Sequence, residues 1–134
     1  MATQTRPTLQ QRRAAHAWQA VEKLTKEKTE AKNEYAREAK KLPARILASG
    51  LGPALAFLHA KGTDKKPHLK ALLADLSDWV LKQRPIQGKD PASLMYSVVH
   101  GDSNFLRRAT DEVLAYLEWL NRFLEAEGLP TESE

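Results

Sequence analysis

The sequence contains no cysteine. That excludes a disulfide framework, thiolate metal ligands and a cysteine nucleophile, and it fits a reducing compartment. No stretch approaches the ~18 consecutive apolar residues of a membrane-spanning helix. The opening, MATQTRPTLQQRR, is polar and has no apolar h-region, so no secretory signal and a cytoplasmic location are expected. Valine and isoleucine are scarce, and no segment alternates apolar and polar residues between turn signals at strand spacing. Fixed-period repeats and low-complexity tracts are also absent. What dominates instead is Ala, Leu, Glu, Lys and Arg, all good helix formers. The expected fold is all-α. At 134 residues the chain suits a single domain with a core of its own.

Catalytic constellations are missing too. His16, His59, His68 and His100 are scattered, and no two share the i, i+4 spacing that places a pair of metal ligands on one helical face. There is no P-loop, dinucleotide fingerprint or nucleophile elbow. Asp75 and Asp78 lie at i, i+3 but flank Leu76 on an amphipathic segment, where a solvated polar face explains them better than a Mg²⁺ site. Asp111, Glu112 and Glu118 read the same way, the first two beside a helix N-terminus that favours anions. No enzyme activity, metal or cofactor is expected.

Apolar periodicity and caps predict a single-domain bundle of about six helices over residues 8–128, with a disordered arm at 1–7 and a flexible tail at 129–134. Thr8 is a good N-cap for a first helix whose stripe is Ala14, Ala17, Trp18, Val21 and Leu24. A second stripe, Tyr35, Ala39, Leu42 and Ile46, follows with no intervening Gly or Pro. One long helix would leave an extended rod, so a tight turn near Lys28 to Glu30 is expected. Pro43 interrupts the second stripe without shifting its register, which predicts a kinked helix. Ser49-Gly50 and Gly52 should end it. A short apolar helix from Pro53 to Leu58 closes at Gly62-Thr63-Asp64. Pro67 opens the next, with Leu69, Leu72, Leu73, Leu76, Trp79 and Val80 facing the core and Arg84-Pro85 as its stop. Asp90-Pro91 caps a short helix carrying Leu94, Met95, Val98 and Val99 that ends at Gly101. Asp102 or Ser103 starts a long final helix that runs to Gly128. It bears two adjacent stripes: Leu106, Ala109, Val113, Leu117, Leu120 and Leu124, then Tyr116, Trp119 and Phe123. Two stripes mean a central position in the bundle, or an aromatic side that meets another subunit.

The chain carries 21 Lys+Arg against 17 Asp+Glu, a net charge of +4. A mild basic excess favours polyanionic partners, although solubility alone also accounts for it. The basic residues cluster as Arg12-Arg13, Arg37 with Lys40, Lys41 and Arg45, Lys65-Lys66 with Lys70, and Arg107-Arg108. Arg37, Lys41 and Arg45 fall at i, i+4 and i+8, a ridge able to follow a phosphate backbone. Glu34 and Glu38 beside it fit an ordinary solvated face equally well. Ala48 to Gly52 superficially resembles a helix-turn-helix turn. The segment after it, Pro53 to Ala60, has no Arg, Asn or Gln to read base edges, so sequence-specific DNA recognition is not expected.

Two blocks carry a family resemblance: YAREAKKLPARILASGLGPALAFL at 35–58 and TDEVLAYLEWLNRFLEA at 110–126. Their order and spacing resemble the small subunit of the type III-B CRISPR effector, the Cmr complex. That family pairs a KLPxxIxxxGLxxALAFL-like block with a C-terminal helix rich in EALxYLxWLxRF-like residues, and Trp18 fits its first helix. The resemblance implies a helical, non-catalytic subunit of an antiviral ribonucleoprotein. Its partners would be other Cmr subunits, further copies of itself, the guide RNA and the target RNA. Copies would stack as a minor filament whose basic faces accommodate the guide–target duplex, while other subunits cut target RNA or make the signalling nucleotide. Leu42-Pro43 and the glycines would shape the turn and kink, and Phe57, Trp119 and Phe123 would pack. The family supplies no catalytic residue to carry over. The candidate nucleic-acid residues therefore come from charge clustering: Arg12, Arg13, Arg37, Lys40, Lys41, Arg45, Arg107 and Arg108. The candidates for a partner interface are Tyr116, Trp119 and Phe123. A free-standing helical scaffold that binds no nucleic acid is the alternative reading.

Overall fold

The structure, a computed structural model, describes residues 6–63, 65–82 and 93–129. Among these are six α-helices and no strand: α1 (Leu9–Leu24), α2 (Thr29–Ser49), α3 (Leu51–Lys61), α4 (Pro67–Lys82), α5 (Ser93–His100) and α6 (Ser103–Ala126). The expected stop at Arg84-Pro85, the cap at Asp90-Pro91, Asp64 of the closing turn, Met1 to Thr5 of the arm and the last five residues of the tail lie outside the described residues.

Local chemistry explains most helix ends. Thr8 Oγ1 accepts from the Gln11 backbone N–H at 3.0 Å, and the Gln11 side chain accepts from the Thr8 N–H at 2.7 Å. This reciprocal box satisfies two donors at the start of α1. Residues 25–28 form the turn that separates α1 from α2, so two helices rather than one rod span this region. At the end of α2, Gly50 takes φ 92°, a left-handed conformation that glycine adopts without a Cβ penalty. The chain then re-enters a helix at once. Gly52, expected to help end α2, instead sits inside α3, which starts at Leu51 and reaches Lys61. Pro53 is tolerated there because the first turn of a helix has no intrahelical acceptor for its N–H. At α6 the cap is Asp102, whose carboxylate accepts from the Phe105 N–H at 2.8 Å.

Pro43 lies inside α2, and the helix continues through it for six more residues. A proline has no N–H, so the Ala39 carbonyl one turn earlier loses its usual donor. Asn121 of α6 replaces it: its side-chain nitrogen donates to the Ala39 carbonyl at 3.0 Å. The break in the ladder of α2 thus becomes a cross-link between two helices.

α4 and α6 form the centre. α4 touches every other helix and buries nine of its residues, including Leu72, Leu73 and Leu76. α6 lies along α1 and α2 and buries Val113, Tyr116, Leu117, Leu120 and Leu124 completely. Three apolar residues depart from the expected stripes. Leu106 is 39% exposed, Trp18 42% and Val99 65%. Each lies at the margin of its helix's buried face, where periodicity alone cannot say how far neighbouring helices reach.

Candidate nucleic-acid interface

Arg37, Lys41 and Arg45 do lie along one face of α2, but they differ in what they touch. Lys41 is exposed and makes no ion pair among the described residues. Arg37 is half-buried, and its Nε lacks a hydrogen-bond partner. Arg45 is held on two sides: Glu38 accepts from its guanidinium at 3.2 Å, and its guanidinium carbon lies 3.9 Å from the centre of the Phe57 ring on α3. Lys61, the last residue of α3, brings its Nζ to 4.7 Å from the same ring centre. Clustering along the sequence missed Phe57 and Lys61 because they reach the ridge only through the α2–α3 packing.

Besides Arg45, two further candidates are engaged within the bundle. Arg13 donates through Nε and Nη2 to both carboxylate oxygens of Glu112, the latter bond at 3.0 Å, with both side chains largely buried. Trp79 Nε1 donates to the same carboxylate at 2.9 Å. The hydrogen bond that Arg13 donates to Glu112 outweighs burial and raises the Arg13 pKa further, which keeps it cationic. Arg13 is therefore a tie between α1 and α6, not a free phosphate ligand. Lys40 reaches Glu125 at 3.5 Å across a partly exposed gap. Arg12, Arg107 and Arg108 are exposed and form no ion pair among the described residues. Arg108 also lines a groove of about 510 Å³ between α1 and α6, with Leu9, Phe105 and Asp111.

The partner-interface candidates also separate. Tyr116 is fully buried and belongs to the core, so the expectation that it faces a partner is corrected. Trp119 and Phe123 are half-buried, with ring centres 5.7 Å apart. The Trp18 ring meets Phe123 edge-on at 5.1 Å. These three rings form an aromatic patch at the α1–α6 edge, and Trp18 is its most exposed member.

A polar chain running from exposed Asp78 to buried Tyr116 superficially resembles a catalytic relay. His16 Nε2 lies 2.7 Å from an Asp78 carboxylate oxygen, and His16 Nδ1 lies 2.7 Å from the Tyr116 hydroxyl. A carboxylate only accepts, so Nε2 carries the proton and a neutral ring accepts from Tyr116 at Nδ1. Burial pushes the Tyr116 hydroxyl well above its ordinary pKa, and no surface of the residue is accessible. The group is neither ionised nor within reach of a substrate. A parallel contact joins Tyr35 to Asp75 at 2.7 Å. Burial raises the Asp75 carboxyl, against the opposing hydrogen bonds from Tyr35 and Lys23. His68 and Glu34 pair across α4 and α2. These contacts tie α1, α4 and α6, and α2 and α4, to one another. Among the described residues, no group of three or more His, Asp and Glu side chains is placed to hold a metal.

Fold and surface together define a small six-helix bundle whose titratable core groups serve packing and whose open edges carry cations. The family model for CRISPR-associated protein (Cas_Cmr5) matches residues 9–127. The chain is 37% identical over 111 residues to the CRISPR system Cmr subunit Cmr5 of Thermus thermophilus, a match covering 82% of this chain and 90% of that protein. The crystal structure of a CRISPR-associated Cmr5 family protein, also from Thermus thermophilus, has the same fold, with a TM-score of 0.75 at 30% identity, over 90% of this chain and 97% of that one. The chain belongs to the Cmr5 family of CRISPR-associated proteins. No helix among the described residues is long and apolar enough to cross a membrane.

Proposed function

We propose that this protein is a non-catalytic structural subunit of a type III-B CRISPR effector. Its copies stack with other Cmr subunits as a minor filament that accommodates the duplex of guide and target RNA. The observation that carries the RNA part is the open α2–α3 edge, where Arg37, Lys41 and Lys61 make no ion pair among the described residues. Cations without an internal counter-ion can take up phosphates and release their condensed counterions. The family match, spanning nearly all of the helical domain, supports the assembly. The moderate charge suits this role, since linked copies raise effective concentration and need few phosphate contacts each. Trp18, Trp119 and Phe123 supply the surface assigned to a neighbouring protein subunit.

The test is an assembled effector carrying Arg37→Glu and Lys41→Glu. Lys41 is exposed and Arg37 only half-buried, so the fold and the subunit stoichiometry stay intact while capture of target RNA weakens. Unchanged capture by a complex of normal stoichiometry overturns the assignment of this face.

A further inference from the structure

Charge is unevenly spread along α6. The helix has no acidic residue in its first turn and no basic residue in its last, so its own side chains offset neither end of its dipole. Arg107 and Arg108 follow the first turn, exposed and without an ion pair among the described residues. At the far end, Lys40 and Arg122 engage Glu125, while residues 127–134, EGLPTESE, carry three more glutamates and no cation. α1 runs parallel to α6, because the contacts Arg13–Glu112, His16–Tyr116 and Trp18–Phe123 advance together along both helices. It too lacks an acidic residue in its first turn, and Arg12 is exposed just beyond it. Glu112 is taken up by Arg13, which leaves Asp111 against Arg12, Arg107 and Arg108 at the end where both helices start. The groove of about 510 Å³ lies at that end, with Leu9, Val80 and Phe105 among its apolar lining and Arg108 on its wall.

We propose that residues 130–134 of one copy, PTESE, dock in the α1–α6 groove of a second copy, with Pro130 on the apolar lining and Glu132 and Glu134 against Arg108 and the arginines beside it. The inference rests on the stacking of copies proposed above and assigns the contact between them. Opposite charges at the two ends of one helix are satisfied together when copies follow one another in the same orientation. Pro130 has no N–H, so its burial on an apolar lining strands no backbone donor. The segment cannot serve its own groove. The Leu129 N–H donates to the Leu124 carbonyl at 3.1 Å, which fixes where the segment leaves the bundle. From Leu124 back to Arg108 the helix rises about 24 Å. From Leu129 to Glu132 the chain spans at most about 10 Å. The contact joins two different surfaces, so every added copy presents a fresh groove, and copies extend as a filament unless their rotation closes a ring.

The chain has no cysteine, so disulfide trapping has no background from the chain itself. The experiment assembles the effector with the full chain carrying Arg108→Cys and Glu132→Cys, oxidises it mildly and resolves the products on a non-reducing gel. A disulfide needs Cα atoms within about 7 Å, which the two positions cannot reach inside one chain. The expected result is a ladder of dimers and longer multimers that takes up most of the chain. Arg108→Cys alone and Glu132→Cys alone should give several-fold less dimer and nothing longer. Dimer from Arg108→Cys alone at the level of the double variant means that the basic end meets itself, and overturns the proposal. A link to another effector subunit in place of the ladder assigns the groove to that subunit and overturns it as well. An effector that holds several copies by native mass spectrometry but gives no ladder overturns the docked segment and leaves the stacking standing. An effector that holds a single copy overturns the stacking itself.

Discussion

Pro43 and Asn121 are complementary: the proline withholds a donor from the Ala39 carbonyl, and the asparagine supplies one from α6 at 3.0 Å. The KLP segment and the C-terminal helix therefore meet at a specific hydrogen bond. Asn121→Ala should destabilise the protein by about 1–2 kcal/mol, because it strands a buried carbonyl. In a Pro43→Ala background the helix supplies its own donor, and the same substitution should cost about 1 kcal/mol less. A double-mutant cycle by urea unfolding reads this coupling, and it cancels the effect of removing Asn121 volume. Additive single effects would show that the two residues act independently.

Arg13 and Glu112 tie the start of α1 to α6, so Arg13 should behave as a structural residue. Arg13→Ala leaves a mostly buried carboxylate with Trp79 as its remaining hydrogen-bond donor, at a cost of about 2–3 kcal/mol. Arg12→Ala, one position away and exposed, should change stability by less than about 0.5 kcal/mol. Thermal unfolding distinguishes the two. Equal melting temperatures for both variants would contradict the tie.

Arg45 has both a structural and a surface role. Arg45→Ala uncovers the Phe57 face and leaves Glu38 unpaired, so a loss of about 1–2 kcal/mol is expected. Lys41→Ala should be nearly neutral for stability. Comparing their unfolding midpoints tells whether a binding defect in an Arg45 variant reflects lost recognition or a loosened α2–α3 contact.

The Asp75 carboxyl is raised above its ordinary range, chiefly by burial, so the folded state holds its proton to higher pH than the unfolded chain does. Between those two pKa values the folded state binds more protons, and stability falls as pH rises through the window. Asp75→Asn removes that dependence and can still accept from the Tyr35 hydroxyl. The melting temperature of Asp75→Asn relative to wild type should therefore rise from about pH 3 to about pH 7. A flat or falling difference would contradict the burial argument. Asp78 runs the other way. Burial raises its carboxyl, but hydrogen bonds from His16 and Lys82 outweigh that and hold it low, so its contribution is lost as pH falls through its folded pKa.

The helical plan was legible because its signals are local. The Thr8 box, the left-handed Gly50 and the Asp102 cap each act within a few residues, and the family blocks at 35–58 and 110–126 sit on α2–α3 and α6. The candidate site was legible only as positive charge. Whether a cation is free depends on partners remote in sequence: Glu112 for Arg13, Glu125 for Lys40 and Phe57 for Arg45. Periodicity likewise gave α6 two stripes without saying which is central. The structure sinks Tyr116 with the first stripe and leaves Trp119 and Phe123 at the edge. It also gives α4 a central place that its single stripe did not announce.

The most direct test of the account is purification of this chain from its native host under low-salt conditions, with identification of every protein and nucleic acid that accompanies it. The account predicts several copies of the chain together with other Cmr subunits and a guide RNA, and retention of that RNA when a target strand is added. Recovery of the chain in a stable assembly free of both Cmr subunits and RNA would contradict it.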